Sequence, residues 1–505
     1  MPNPADIDPG SQLIVENPAT GHEVGSVRVT SPTEVADACR TARAAQRGWD
    51  AAGWRARRRV LTRFHDLLFE RREEILDTIQ SESGKTRREA LGELLIVAGT
   101  ARYYSAHGER HLASQRHSGA SPGITGARVI YRPHGVVGFI TPWNYPFILS
   151  IGDALPALLA GNAVVVKPSE LTPLSAEVAR TLLVDSGLDP ALLHLVHGDG
   201  SVGAALVEHV DYLGFTGSAA TGRKVGMAAA ERLIPSSLEL GGKNPMIVLE
   251  GAPLDEAVRG LMSGAFYNTG QTCIAVERVY VERSIFDEFI DRARRRTESL
   301  EIGWSLDYDK DVGSLISAQH CDKVMRHVDG AIEGGATVVA GGRRLPDLGP
   351  AFVEPTLLTD VGESLELCRE ETFGPVVSLY PVDSGDEAVE RANDTPYGLN
   401  ASVWSRSTRR SRAVAERIDA GSIGINSTLL IYSSFDVPMG GVKQSGIGRR
   451  HGAPGIRRFT RTHSIVESIA RGGGYEGVLT RITSGKRASA LARAFRLMRR
   501  IPGLR

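Results

Sequence analysis

Five short apolar runs decide the fold: GVVGFITP (135–142), NAVVVKPS (162–169), LLHLVHG (192–198), YLGFTGS (212–218) and PSSLELGG (235–242). Helical patterns separate them, among them SAEVARTLLVDSG (175–187) and GAALVEHV (203–210). Strands that alternate with helices at this spacing form parallel βαβ units. We therefore predict a doubly wound α/β domain, whose ligands bind at the carboxyl ends of the strands.

A second alternating region predicts a second α/β domain. It runs from NPMIVLEG (244–251) through TPYGLNASVWS (395–405) and the helix RRSRAVAERI (409–418) to GSIGINS (421–427). Residues 35–115 are predicted to be helical because their apolar residues recur at helical spacing. The segments ARVIYRPHG (127–135) and FTRTHSIVESI (459–469) are predicted to be strands outside both sheets.

Composition places the chain among ordinary globular proteins of two or three domains. It has 505 residues, of which 42% are hydrophobic and 23% charged. Its four cysteines contain no CxxC pair, which argues against disulfides and a zinc site and suits a reducing compartment. No secretory signal or membrane-spanning stretch is visible, so we expect a cytoplasmic protein without a metal.

The basic C-terminal tail stands apart from an otherwise slightly acidic chain. Residues 471–505 hold nine basic residues and one acidic residue, although the whole chain has a net charge of zero. Nothing in the main body predicts nucleic-acid binding. A tail helix could attach to an anionic membrane surface, or it could be a disordered or partner-packed extension. Its apolar face would hold Leu491, Ala494, Phe495, Met498 and Ile501, opposite Arg493, Arg496 and Arg500.

Several strand ends carry polar motifs that could bind a ligand. FTGSAATGRKV (215–225) follows a strand and opens a helix, whose free N–H groups favour an anion. KPSE (167–170) places a lysine and a carboxylate where ribose hydroxyls could bind, and TPWNYP (141–146) places an amide at Asn144. Taken singly, FTGSAATGRKV is equally consistent with a simple strand-to-helix turn, and KPSE alone favours a surface lysine before a proline-led turn.

Two further stretches suggest catalysis. Glu239 in LELGGKNP (238–245) lies between leucines, where burial would raise the pKa of its carboxyl toward the range of a general base. Cys273 in NTGQTCIA (268–275) follows Gly270, whose neighbouring N–H groups could stabilise a thiolate. An edge strand and a buried core sulfur are the structural alternatives.

The motifs together resemble the aldehyde dehydrogenase superfamily over residues 10–470. TPWNYP, KPSE, FTGSAATG, LELGGKNP, NTGQTC, EETFGPV (370–376) and PMGGVKQSG (438–446) occur in the family's order. The resemblance implies that Cys273 attacks the aldehyde carbon and that Asn144 and the Cys273 N–H form the oxyanion hole. Glu239 would activate the water that hydrolyses the thioester.

The resemblance also implies the cofactor site. Lys167 and Glu170 would contact the adenine-side ribose, Glu371 the nicotinamide ribose, and Phe373 would pack near the nicotinamide. A carboxylate at Glu170 would repel a 2′-phosphate, so NAD is expected over NADP. The full set is Thr141, Pro142, Trp143, Lys167, Ser169, Glu170, Gly200, Gly217, Ser218, Thr221, Gly222, Leu240, Glu371 and Phe373.

The substrate prediction favours a neutral aromatic or aliphatic aldehyde. Family enzymes for succinate semialdehyde, the alternative substrate, use an arginine six residues before the nucleophile and another after the PWN motif. These positions hold Tyr267 and about Gly152, with Asp153 next to it. An arginine from elsewhere could substitute. The predicted pocket residues are Tyr145, Phe147, Tyr267, Thr272 and Ile274.

Other functional classes fit the sequence less well. Coenzyme A-acylating relatives usually lack the glutamate found at Glu239. A cofactor-independent thioesterase would leave FTGSAATG and EETFGPV unexplained, and a non-catalytic member would be expected to have lost Cys273 or Glu239.

The resemblance also predicts the domain boundaries and an oligomer. The NAD(P)-binding domain would comprise 1–118 and 136–242, and the catalytic domain 243–446. An oligomerisation element of 119–135 and 447–470 would join subunits into a homodimer or homotetramer by pairing edge strands. The tail would comprise 471–505.

Overall fold

The computed structural model describes residues 8, 10–119, 125–469, 474–483, 488–489, 492–493 and 496. Clustering of contacts divides the chain into two compact units. The first comprises 1–111 and 133–459, and the second comprises 112–132 and 460–505. The predicted domain boundaries are drawn on a different basis and stay predictions.

The strands and helices follow the predicted alternation. The strands are β1 (Gln12–Glu16), β2 (Glu23–Arg28), β3 (Gln115–His117), β4 (Thr125–Pro133), β5 (Val136–Ile140), β6 (Ala163–Lys167), β7 (Leu193–Leu195), β8 (Tyr212–Thr216), β9 (Ser236–Glu239), β10 (Asn244–Val248), β11 (Val276–Glu282), β12 (Thr337–Ala340), β13 (Thr356–Thr359), β14 (Val376–Val382), β15 (Asn400–Trp404), β16 (Ser422–Ile425), β17 (Gly446–Ile447) and β18 (Thr460–Ser468). The α-helices are α1 (Pro32–Ala51), α2 (Gly53–Glu70), α3 (Arg72–Ser83), α4 (Arg87–Leu112), α5 (Pro146–Ile151), α6 (Ala154–Leu159), α7 (Leu174–Asp185), α8 (Gly200–Val207), α9 (Ala219–Glu231), α10 (Leu254–Phe266), α11 (Phe286–Glu298), α12 (Ala318–Glu333), α13 (Glu366–Arg369), α14 (Gly385–Asn393), α15 (Thr408–Ala415), α16 (Leu430–Ser433), α17 (Gly452–Arg457) and α18 (Gly474–Thr483).

The first predicted α/β region forms a six-stranded sheet in the order β17-β9-β8-β5-β6-β7. All its neighbours pair in parallel except β17, which runs antiparallel to β9. The sequence AVVVK of β6 is buried along its whole length, because helices cover both faces of a parallel sheet. The carboxyl ends of β5, β6 and β8 therefore share one edge of the sheet.

The second region forms a seven-stranded sheet in the order β12-β13-β14-β11-β10-β15-β16. Only β12 runs antiparallel to its neighbour in this sheet. The helices that connect its strands pack on its faces through two hydrophobic clusters. Strands β10 and β11 are fully buried at its centre. The prediction of two parallel-sheet α/β regions is confirmed.

The N-terminal helical region begins where the sequence provides a start signal. Ser31 caps α1 by accepting a hydrogen bond from the Glu34 N–H, and the Glu34 carboxylate accepts one from the Ser31 N–H in return. This reciprocal pair satisfies two backbone donors at the helix start. Helices α1 to α4 then follow one another with short connections, as the periodicity predicts.

The second compact unit contains a three-stranded sheet in the order β18-β4-β3. Strand β18 is largely exposed, with Val466 67% accessible. Its C-terminal portion includes α18, but most of the predicted amphipathic tail helix, including Leu491, Phe495 and Met498, lies outside the described residues. In the part of the chain that the structure describes, each helix is too short or too polar to span a bilayer.

Candidate active site

The end of β6 holds the first group of predicted cofactor residues. Lys167 is the last residue of the strand and is buried, and its Nζ donates to Glu170 Oε2 over 3.2 Å. Its carbonyl accepts from the Thr141 N–H at 3.0 Å, which joins the turn after β5 to the end of β6. The Ser169 hydroxyl accepts from the Leu171 N–H and fixes the turn that carries Glu170. An ammonium and a carboxylate therefore stand side by side at the sheet edge.

The turn from β8 into α9 holds the second group. Ser218 caps α9 by accepting from the Thr221 N–H, and the Gly217 N–H donates to the Glu239 carbonyl. A Cβ at Gly222 would lie 2.5 Å from Leu240 Cδ2, so only glycine lets the helix pack this closely against the end of β9. The helix N-terminus carries the partial positive charge that attracts a phosphate. Gly200, which is also predicted, is the first residue of α8.

The turn before β14 holds the third group. Glu371 Oε1 accepts from the Gly242 N–H at 2.9 Å, and burial together with nearby Glu277 raises the pKa of the Glu371 carboxyl to about 8. Phe373 has a φ of 57°, and its ring meets the Trp143 ring edge-on with centroids 5.5 Å apart. Pro142 precedes Trp143 in the same turn after β5. Glu371, Phe373 and Trp143 are thus brought together from distant parts of the chain.

These three groups fit a dinucleotide. The Lys167 ammonium and the Glu170 carboxylate offer a donor and an acceptor for a ribose diol, and the capped start of α9 offers N–H groups for a pyrophosphate. Gly241 lets the Glu371 carboxylate pack against the backbone, because a Cβ there would lie 2.2 Å from Oε2. The carboxylate is thereby held where it could accept hydrogen bonds from a second ribose.

The loop that carries Cys273 has an unusual backbone. Asn268, Thr269 and Gly270 all have positive φ angles, of 54°, 55° and 71°. Such a left-handed run costs about 1–3 kcal/mol for each non-glycine residue and needs outside support. The buried Glu89 carboxylate accepts from the Asn268 N–H at 2.6 Å, and Asn244 Nδ2 donates to the Cys273 carbonyl at 2.8 Å.

Asn144 lies against this loop. Its Nδ2 donates to the Gln271 carbonyl at 3.0 Å, and its Oδ1 is buried and has no hydrogen-bond partner within the described part of the chain. A buried ion pair holds the backbone around it. Lys85 Nζ contacts Glu93 Oε1 at 2.5 Å and donates to the Asn144 carbonyl at 2.9 Å. Glu93 Oε2 accepts from the backbone N–H groups of Phe147 and Ile148, both at 3.0 Å.

Glu239 ends β9 and faces the same region. Strand β17 pairs with it, since Gly446 lies opposite Glu239 in the antiparallel register. The Glu239 Oε1 atom is buried, has no hydrogen-bond partner among the residues that the structure describes, and lies 4.0 Å from Arg458 Nη1. Burial raises the pKa of the Glu239 carboxyl, and the positive charges of Arg450 and Arg458 oppose that rise. Glu239 therefore has the free oxygen and the raised pKa that a general base needs.

Burial also raises the pKa of the Cys273 thiol, but for a nucleophile a raised pKa means less of the reactive thiolate. The side chain is partly accessible, but burial raises the pKa of its thiol to about 12, while nearby Arg450 opposes the rise. Glu371 and Glu239 also act on this thiol, so the predicted nucleophile and base lie within electrostatic range of each other. The thiol is neutral at physiological pH and must lose its proton when it reacts.

Comparison with known proteins identifies the family. A model described as the aldehyde dehydrogenase family matches residues 7–465. The chain belongs to the aldehyde dehydrogenase family. The resemblance seen in the sequence is confirmed, and the protein is an NAD(P)-dependent aldehyde dehydrogenase that oxidises aldehydes.

Three relatives of this aldehyde dehydrogenase illustrate the similarity. It is 46% identical to a Mycolicibacterium smegmatis protein named as a candidate succinate-semialdehyde dehydrogenase (NADP(+)), over 92% of this chain and 90% of the relative. It is 39% identical to the 2-hydroxymuconic semialdehyde dehydrogenase of Pseudomonas sp. strain CF600, over 89% and 94%. The NAD+ complex of a Bacillus cereus aldehyde dehydrogenase superposes with a TM-score of 0.87 at 34% identity, over 91% and 94%.

The predicted substrate-pocket residues of the aldehyde dehydrogenase fall into two groups. The hydroxyls of Tyr145 and Thr272 form a hydrogen bond of 2.6 Å beside the loop that carries Cys273. Ile274 packs in the small hydrophobic cluster that includes Cys273. Phe147 is fully buried, and the Tyr267 hydroxyl donates to the Glu89 carbonyl at 3.4 Å. The role of all five in substrate binding stays a prediction.

A small cavity lies beside this cluster and is lined by a different set of residues. Tyr432 and Met439 line it and also belong to the cluster that includes Cys273. Charged and apolar side chains share the rest of the lining: Ile96, Thr100, Tyr104, Ile148, Gly152, Asp153, Pro156, Arg450 and His451. The sequence does not predict the charged lining residues, although the tripeptide RRH (449–451) begins three residues after the motif PMGGVKQSG.

Proposed function

We propose that the protein oxidises its aldehyde through a covalent bond to Cys273 and releases the acid by hydrolysis. The Cys273 thiol gives its proton to solvent water, and its sulfur forms a bond to the aldehyde carbon. The electron pair of the carbonyl π bond moves to the oxygen, which becomes an oxyanion. Two donors would stabilise that oxyanion: the second N–H of the Asn144 amide and the Cys273 backbone N–H. Each such donor lowers the activation barrier by about 2.7–4 kcal/mol. The proximity of Asn144, Cys273 and Glu239 in one buried region supports these roles.

The chemistry that NAD(P) supplies when bound is acceptance of a hydride from the substrate carbon. Lys167, Glu170, Ser218 and Glu371 would hold it, for the reasons of charge and geometry given above. After oxidation the acyl group remains bonded to the Cys273 sulfur. Glu239 then takes a proton from water, the resulting hydroxide attacks the acyl carbon, and the sulfur leaves with the bonding electrons.

Single-turnover kinetics test these assignments. Cys273→Ala should bind the cofactor normally and form no reduced cofactor. Glu239→Gln should form about one equivalent of it per site in a burst and then stall, because the acyl group is not hydrolysed. Steady turnover by Glu239→Gln, or a rate in the wild type that depends on added coenzyme A, would contradict hydrolysis with Glu239 as base.

We propose that NAD is the preferred cofactor, although relatives carry names with NADP(+). The Glu170 side chain is 38% accessible at the predicted ribose position, where its charge would repel a 2′-phosphate. The expected result is a higher kcat/KM with NAD than with NADP, and a ratio shifted toward NADP in Glu170→Ser. A wild type that prefers NADP would refute the proposal.

The sequence favours a neutral aldehyde, whereas two relatives are named for semialdehydes that carry a carboxylate. The cavity beside the hydrophobic cluster that Cys273 packs against favours the second candidate, because Arg450 lines it. Comparing benzaldehyde, hexanal and succinate semialdehyde distinguishes them. A kcat/KM for the semialdehyde below that for both neutral aldehydes would exclude a carboxylate-bearing substrate.

We also propose a homo-oligomer and a peripheral contact of the basic tail with anionic membranes. The edge strands β3 and β18 leave backbone groups that a second subunit could pair. Light scattering of the protein as it elutes from a size-exclusion column should show a dimer or tetramer, and a monomer would refute the oligomer.

The proposed membrane contact is tested by removing the tail. Truncation after residue 470 should abolish co-sedimentation with anionic vesicles, and unchanged sedimentation would refute the membrane contact.

A further inference from the structure

Three charged side chains form a buried cluster behind the predicted base. Asp153 Oδ2 lies 3.0 Å from Arg450 Nη2, and Asp153 Oδ1 lies 2.6 Å from Arg458 Nη2. The side chains of Asp153, Arg450 and Arg458 are only 18%, 11% and 9% accessible. We call this set the charge cluster. It is assembled from α6 and the segment after β17, which are about 300 residues apart.

The charge cluster offers cations to a ligand anion. Among the described residues, Asp153 is the one carboxylate closely paired with both guanidinium groups, and the nearer oxygen of Glu239 lies 4.0 Å from Arg458 Nη1. His451 does not add charge, because burial and nearby Arg450 lower the pKa of its imidazole to about 4. A substrate carboxylate that reached Arg450 would therefore meet a buried cation, where a charge-assisted hydrogen bond is strong.

The cluster also has unused hydrogen-bond donors. The Nε atoms of Arg450 and Arg458 are buried and have no hydrogen-bond partner among the described residues. Asp153 and Thr216 both bind Arg450 through Nη2, at 3.0 Å and 2.9 Å, which holds the guanidinium in place and leaves its Nε free of these contacts. A guanidinium that is held at Nη2 and keeps a free Nε–H can donate a charge-assisted hydrogen bond to a carboxylate.

Arg450 also lies where it can reach a substrate. It lines the cavity with Tyr432 and Met439, which belong to the cluster that includes Cys273. Its positive charge also opposes the rise in the pKa of the Cys273 thiol, in keeping with its place beside that cluster. A short chain bonded to Cys273 at one end could thus place a second polar group against Arg450.

We propose that Arg450 binds a carboxylate at the far end of the aldehyde substrate, which makes a short semialdehyde acid the preferred substrate class. Arg458 adds positive charge, and Asp153 positions both arginines. The inference rests on the proposed function, since it places the aldehyde end at Cys273. It also accounts for the tyrosine and glycine at the positions where family enzymes of this specificity carry arginines, because Arg450 approaches the cavity from a different segment.

Steady-state kinetics with matched aldehydes test the proposal. Succinate semialdehyde, its methyl ester and butanal share a four-carbon acyl chain and differ in charge. In the wild type, kcat/KM for succinate semialdehyde should exceed that for both neutral compounds. In Arg450→Met this preference should fall by about 10- to 100-fold, the scale of one charge-assisted hydrogen bond. Arg450→Lys keeps the charge but loses the planar fork, so it should retain part of the preference.

Arg102→Met is the control, because Arg102 is an exposed arginine on α4, the helix that also supplies Ile96 and Thr100 to the cavity. It should leave the preference unchanged. Should Arg450→Met fail to fold, Arg450→Lys and the methyl ester in the wild type measure the same contrast. An unchanged preference in the Arg450 variants, or a wild type that prefers the ester, overturns the inference. Absence of reduced cofactor with every aldehyde would overturn the proposed function instead.

Discussion

The buried ion pair between Lys85 and Glu93 should support both stability and catalysis. Both side chains are at most 1% accessible. Lys85→Met leaves the Glu93 carboxylate buried without its cation, although two backbone N–H groups still donate to it. Removing one partner of such a pair costs about 3–5 kcal/mol. Since a folded domain is stable by about 5–15 kcal/mol, the loss is a large fraction of the total.

The same substitution should lower kcat. The Asn144 carbonyl accepts from Lys85 at 2.9 Å and from Asn268 Nδ2 at 2.8 Å, so Lys85→Met removes one of these two supports. Loss of a whole oxyanion donor lowers kcat by about 100- to 1,000-fold. Because the Asn144 side chain remains and is only less well positioned, we expect a smaller fall of about 10- to 100-fold.

Denaturant unfolding and steady-state kinetics on the same samples measure both effects. Arg63→Met is the control for an exposed ion pair, since Arg63 and Glu70 are 48% and 52% accessible and such pairs contribute about 0–1 kcal/mol. Lys85→Met/Glu93→Gln should be more stable than Lys85→Met alone, because no unpaired charge stays buried. A free energy of unfolding for Lys85→Met within about 1 kcal/mol of the control would refute the reasoning.

Two further predictions concern the surroundings of Glu239. Arg458→Met removes a positive charge that lowers the pKa of the Glu239 carboxyl, so that pKa should rise. Because the base must be ionised, the acidic limb of the profile of kcat against pH should move to higher pH. A limb that stays in place when kcat is measured between pH 5 and 9 would contradict the role of Arg458. Gly446→Ala should lower Tm by several degrees, because φ there is 135° and a Cβ would lie 2.0 Å from the Leu238 carbonyl oxygen. Gly187→Ala, with φ of 93° and open space around it, should cost less, and equal losses in the two variants would show that steric conflict is not the cause.

The sheets could be predicted because their sequence signals are local. The run AVVVK of β6 is apolar and ends in a lysine, and the turn of glycine and serine after β8 marks the start of α9. Strand β11 was missed: its sequence VERVYVE contains two acids and an arginine, although all seven residues are buried. Glu277 is buried because it pairs with Lys243 and accepts from the Thr372 N–H, partners that no local pattern reveals.

The candidate catalytic residues could be identified for a related reason, while their supports could not. Asn144, Glu239 and Cys273 stand at strand ends or in glycine-rich turns, where side chains face a ligand rather than a core. Glu89 and Glu93 lie within REALGELL of α4, a pattern typical of an exposed amphipathic helix. Their burial depends on backbone donors at positions 147, 148 and 268, which only the tertiary fold brings to them.

The charge cluster shows the same limit most clearly, and it bears on the substrate. Asp153 on its own would be expected to disfavour an anionic substrate, because its carboxylate borders the cavity. In the fold, both of its oxygens are engaged by arginines from the segment after β17, which compensate its negative charge. The pairing of β17 with β9 places those arginines near Asp153, since Gly446 lies opposite Glu239 and Arg450 follows four residues later. The charge presented to the substrate is therefore set by a strand pairing between distant segments. The residues that flank Cys273 and Asn144 in the sequence do not predict that charge.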